Sequence, residues 1–244
     1  MHLHGSEDPL PTPSPILSRR RRYFVLAIFL LIAVGWPTVA ILSGPNSPGE
    51  LEALVESSRL SLYAGTALIL WAVFLLVWIA QRSAFRPLAE LGFSEPRFFD
   101  PIIGFLFLIF ANIVLNGLGW TFHQVFGMET PDMTVRLILP QDTVERAGWI
   151  MLSVSAGICE ESTFRGFLLL RGQEFLRRRW VSVLISSVAF ASGHLYQGHM
   201  GAALIFVYGV FFCLLRYWQG SLWPGIWAHI WQDLGAMALG SSLS

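Results

Sequence analysis

The chain has 244 residues, 54% of them hydrophobic and 13% charged, with a formal net charge of zero and a mean hydropathy of +0.57. Soluble domains carry about 25% charged residues, and a soluble core of this size does not bury so much apolar surface. Balanced charge leaves no electrostatic footprint for nucleic acid. The only two cysteines, Cys159 and Cys213, form neither a disulfide framework nor a zinc ribbon.

In chain order, residues 1–22 are polar, Pro-rich and end in four arginines, and they read as a cytoplasmic disordered tail. They are not a signal peptide, because charge and proline precede an apolar run long enough to stay as an anchor. Seven stretches then approach the ~20 apolar residues that a spanning helix needs. They are residues 23–42, 60–80, 101–122, 148–170, 180–196, 201–215 and 222–239. A short eighth helix has room between Gly127 and Arg146. The expectation is an all-α, polytopic transmembrane bundle of about seven spans. Residues 23–147 form N-terminal helices and loops, and residues 148–240 hold the chemistry.

Arginine placement sets the expected orientation. Arg19 to Arg22, then Arg82, Arg86 and Arg97, then Arg171 and Arg177 to Arg179, and finally Arg216, fall on alternate connections. The intervening loops are acidic, with Glu50, Glu52, Glu56, Glu129, Asp132, Asp142 and Glu145. This alternation places the N-terminus in the cytoplasm of a multi-pass cell-membrane protein.

The fourth stretch carries Glu160, Glu161 and Arg165 inside an apolar run. A charge at the bilayer centre costs at least ~2.5–3.5 kcal/mol, so such residues face a protein interior and are functional by default. Glu161 and Arg165, four apart, share a helical face and can pair. Glu160 points about 100° away and has no partner in its own helix. Phe190 and His194 are four apart on the fifth stretch, and His229 and Asp233 on the seventh. At 1.5 Å per residue, Glu160, His194 and His229 lie ~16, ~22 and ~20 Å in from their cytoplasmic ends. Three helices therefore bring polar groups to a similar depth.

Such a cluster suits amide hydrolysis. A weakly solvated carboxylate beside an imidazole can deprotonate water, and a second imidazole with a short polar neighbour can hold an oxyanion. No Gly-rich elbow surrounds a serine to make it a nucleophile. Cys159 reads as a small core residue, His199 as a solvated loop residue, and a purely structural ion network is the plain alternative for the charges.

EESTFR, FASGH and HIWQD, in this order, resemble the Glu-Glu-x-x-x-Arg, Phe-x-x-x-His and His-x-x-x-(Asn or Asp) motifs of the CAAX protease and bacteriocin-processing family. The resemblance covers residues 148–240 and implies an intramembrane glutamic endopeptidase acting on a membrane-anchored protein or peptide. It implies Glu160 as general base with His194, Glu161 paired to Arg165, His229 and Asp233 at the oxyanion, and Phe190 packed beside them. Prenyl proteases commonly have Asn where this chain has Asp233, and an ionised Asp there repels an oxyanion. No cofactor is implied, although Glu160, His194 and His229 also suit a divalent ion such as zinc. Outside hydrolysis, buried carboxylates and histidines serve proton-coupled transporters. Against this, the polar residues fall in one half of the chain, without the repeat that transporters commonly show. A non-catalytic membrane partner is the remaining class. Nothing in the sequence bears on oligomeric state.

Overall fold

The computed structural model describes residues 18–44, 48–127 and 132–241, which are helical with no strand among them. Helix α1 (Arg19–Ser43) is continuous through a π-helical segment, Leu31–Gly35. It begins at Arg19, so the four arginines assigned to the tail form its first turns; the rest of that tail lies outside the described residues. Two short helices, α2 (Pro48–Ser57) and α5 (Asp132–Ile138), occupy the acidic connections. The second of these is the short extra helix foreseen after Gly127. Helices α3 (Arg59–Ser83) and α4 (Asp100–Phe126) follow the predicted apolar runs closely.

Helix α6, residues 143–176, changes character along its length. It is α-helical over Thr143–Glu160, π-helical over Glu161–Leu168 and α-helical again over Leu169–Leu176. Its start is a capping arrangement: the Asp142 carboxylate accepts the Glu145 N–H at 2.8 Å, and Glu145 accepts the Gln141 N–H at 2.8 Å. Helix α7 (Arg179–Ser192) is followed by a 3-10 turn, Leu195–Gln197, then α8 (Gly198–Gln219) and α9 (Trp223–Ser241).

Four segments are long and apolar enough to cross a membrane: Arg19–Ser43, Arg59–Ser83, Asp100–Phe126 and Leu195–Gln219. Arg179–Ser192 is apolar but shorter. On α4, Ile102, Phe105, Leu106, Ile109, Phe110 and Ile113 are all exposed, an apolar face that suits lipid and not water. The protein is a membrane protein built as a helical bundle.

Helix α6 sits at the centre, packed between α3 and α9, and its last turns meet α7. Small residues set how closely these helices approach. A Cβ on Gly157 would lie 2.8 Å from the Ile230 side chain, and one on Gly104 would lie 2.6 Å from the Pro224 carbonyl. Glycine at these two positions lets α6 and α4 press against α9. At the arginine-rich end, fully buried Arg171 donates to Gln81 Oε1 at 3.0 Å and Glu90 Oε2 at 2.9 Å, and also to Glu174. Arg86 bonds both Glu90 and Glu174. This network ties the end of α3 and the following turn to the end of α6.

Candidate active site

The π-helical stretch is where the charges sit. Hydrogen bonding from i to i+5 widens the helix, and such segments recur at functional sites. It leaves backbone carbonyls to be satisfied from outside, and Ser186 on α7 donates its hydroxyl to the Phe164 carbonyl at 2.8 Å. Glu161 through Leu168 are all buried.

The two adjacent glutamates have different surroundings. Glu161 Oε1 accepts from the Arg165 guanidinium at 3.0 Å and lies 3.2 Å from His229 Nδ1; the Glu161 and Arg165 side chains are each 1% exposed. The guanidinium carbon lies 4.0 Å from the centre of the Phe190 ring and 4.7 Å from that of Phe212, so aromatic faces cover the cation. Gly225 leaves room for this carboxylate, since a Cβ there would stand 3.0 Å from Glu161 Oε2. Glu160 is unlike its neighbour. Its side chain is 13% exposed, and His229 Nε2 lies 3.9 Å from its Oε2, which is buried and has no hydrogen-bond partner among the described residues.

His229 thus stands between the two carboxylates. An imidazole whose Nδ1 hydrogen goes to Glu161 keeps its Nε2 edge toward Glu160. His194 is held differently. Its Nδ1 lies 3.1 Å from the Phe190 carbonyl. A carbonyl only accepts, so Nδ1 carries the hydrogen and Nε2 is left as an acceptor. Its backbone is not helical: α7 ends at Ser192, and His194 has φ −114° and ψ 14°. The shared helical face expected for Phe190 and His194 is therefore replaced by a cap. Their rings still meet, with centroids 5.0 Å apart. The outer loop expected around His199 is instead the 3-10 turn and the first turn of α8, with His199 exposed.

Glu160, His194, His229, Asp233 and Phe190 line one cavity of 320 Å³. Its remaining wall is largely apolar and includes Leu51 and Leu54 of α2, Leu62 and Tyr63 of α3, Ile138 of α5, and Trp149 and Leu152 of α6. Asp233 is half-buried, and its backbone carbonyl accepts the Trp149 indole N–H at 3.0 Å. Tyr196 and Trp149 are cavity residues that motif reading passed over. Tyr196 lies in the post-helix turn and Trp149 eleven residues before Glu160, so neither spacing marks them. Among the described residues, no three His, Cys, Asp or Glu side chains converge as a set able to hold a metal ion. Cys159 is 1% exposed and does not line this cavity.

No curated protein and no solved structure matches the chain. Residues 143–235 match the family described as type II CAAX prenyl endopeptidase Rce1-like, a stretch that holds all three motifs.

Proposed function

We propose that the protein is an intramembrane endopeptidase that cleaves a membrane-associated protein or peptide with a water molecule activated by Glu160. The observation that carries this reading is the contrast between the two glutamates. Glu161 is neutralised by Arg165, while Glu160 lines a largely apolar cavity and its buried Oε2 has no hydrogen-bond partner among the described residues. A carboxylate left unpaired away from bulk water is a strong base toward a water molecule placed beside it. The match of residues 143–235 to a prenyl endopeptidase family supports the same reading.

In the first step the water oxygen attacks the scissile carbonyl carbon and its proton passes to Glu160. His194 Nε2 accepts the second water hydrogen and fixes the direction of attack. The negative charge gathers on the carbonyl oxygen, where the Nε2 edge of His229 donates. The ring is doubly protonated at this stage, and Glu161 holds it in place by accepting from Nδ1. The C–N bond then breaks as Glu160 returns its proton to the departing amine. No step needs a metal ion, and activity should survive prolonged chelation.

Glu160→Gln is the direct test, because it keeps size and removes the base. Membranes carrying wild-type protein or this variant are compared by quantitative proteomics of released fragments. At least one fragment is expected in the wild-type sample alone, with cleavage by the variant down by about 10²–10⁴-fold. A variant that cleaves normally sinks the assignment of Glu160. A wild-type protein that releases nothing sinks proteolysis itself.

A further inference from the structure

We infer that the Tyr196 hydroxyl is a second donor to the oxyanion, a catalytic residue outside the three motifs; the inference rests on the hydrolytic reading above. Hydrolysis needs neutral or cationic donors where negative charge develops, and the cavity has few to offer. The Tyr63 hydroxyl is committed to the Ile138 carbonyl at 2.6 Å and the Trp149 indole N–H to the Asp233 carbonyl at 3.0 Å. The Ser153 hydroxyl donates to the Trp149 carbonyl at 2.8 Å, and His194 Nδ1 to Phe190 at 3.1 Å. Asp233, when ionised, only accepts.

Besides the Trp36 indole N–H, which lines the cavity and is buried without a partner among the described residues, a donor that stacks directly on His194 is Tyr196. Its oxygen accepts a hydrogen bond from Gln197 Nε2 at 3.2 Å, which occupies a lone pair and leaves the O–H hydrogen free. Its ring stacks on His194, with centroids 6.1 Å apart and planes inclined by 29°, and both rings line the cavity. Glu160 and Asp233 line the same cavity as Tyr196. The hydroxyl donates a hydrogen bond and keeps its proton, so the balance of the hydrolysis is unchanged. It also resolves the difficulty posed by Asp233, since a neutral donor stands where that carboxylate cannot serve.

The test uses full-length protein in proteoliposomes and the substrate fragment identified by the Glu160→Gln comparison. Tyr196→Phe keeps the ring and its stacking. It is expected to lower kcat about 10- to 100-fold, short of the full loss of an oxyanion donor, with KM changed less than about twofold. Gln197→Glu places an acceptor beside the hydroxyl, draws its hydrogen away from the cavity and should lower kcat in the same direction. Asp233→Asn adds a neutral amide donor and should restore part of the activity of Tyr196→Phe. Thermal melting of each variant confirms that the fold is intact. Wild-type kcat in Tyr196→Phe overturns the inference, as does a kcat loss that Asp233→Asn leaves unrelieved. If wild-type protein cleaves nothing while Glu160→Gln behaves identically, the protease reading fails, and the role of Tyr196 fails with it.

Discussion

Glu160 and Glu161 are neighbours in sequence and opposites in energetics. Glu161 is 1% exposed and balances an equally buried arginine, so removing its charge strands Arg165 among aromatic rings. Breaking a buried ion pair from one side costs about 3–5 kcal/mol. Glu161→Gln is therefore expected to destabilise the protein by about 3 kcal/mol, read as a lower melting temperature in detergent. Glu160→Gln should leave stability near wild type, because that carboxylate has only a distant imidazole beside it. Activity should fall in both variants, while stability falls in one. Equal stability losses in the two would contradict this division of roles. The pairing of Glu161 with Arg165 was legible from their spacing. That His229 stands nearest Glu160 was not, since that contact depends on how closely α6 and α9 approach.

The elements show where sequence periodicity carries information and where it stops. The long apolar runs at 23–42, 60–80 and 101–122 correspond to helices Arg19–Ser43, Arg59–Ser83 and Asp100–Phe126, because length and hydropathy alone mark a spanning helix. Helix α2 escaped notice because its sequence, PGELEALVES, is three-tenths acidic and, among the described residues, buries Leu51 and Val55 alone, in a helix held by tertiary contacts to α3 and α5. The π-helical segment is invisible to periodicity for a related reason: its i to i+5 bonding is stabilised by tertiary contacts such as the Ser186 hydrogen bond to Phe164. Ser186→Ala leaves that carbonyl unsatisfied in the core, at a cost of about 1–3 kcal/mol. Hydrogen exchange by mass spectrometry should show faster exchange in peptides covering 161–168 than in those covering α3. Unchanged exchange there would mean that the segment holds its shape without α7.

On the scale of the whole molecule, the cavity and the ionic network lie toward opposite ends of the bundle. Trp149, Tyr63, Leu51 and Ile138 line the cavity, and each belongs to or adjoins the connections at 44–58 and 127–142. Trp149 stands eleven residues from Glu160, so the cavity reaches about 16 Å along α6 from Glu160. Arg171, Arg86, Glu90 and Glu174 close the other end. If arginine placement sets orientation, the closed end is cytoplasmic and the cavity opens toward the outer face. Substrate then reaches Glu160 from the outer leaflet or the outer aqueous side. Two single-cysteine variants decide the orientation, Arg97→Cys at the arginine-rich end and Glu52→Cys on α2, both at exposed positions. Native Cys159 and Cys213 are buried and give a low background. A membrane-impermeant maleimide should label Glu52→Cys in intact cells and Arg97→Cys only in inverted vesicles. The reverse pattern would turn the cavity mouth toward the cytoplasm and place cleavage on that side, with the chemistry at Glu160 unaltered.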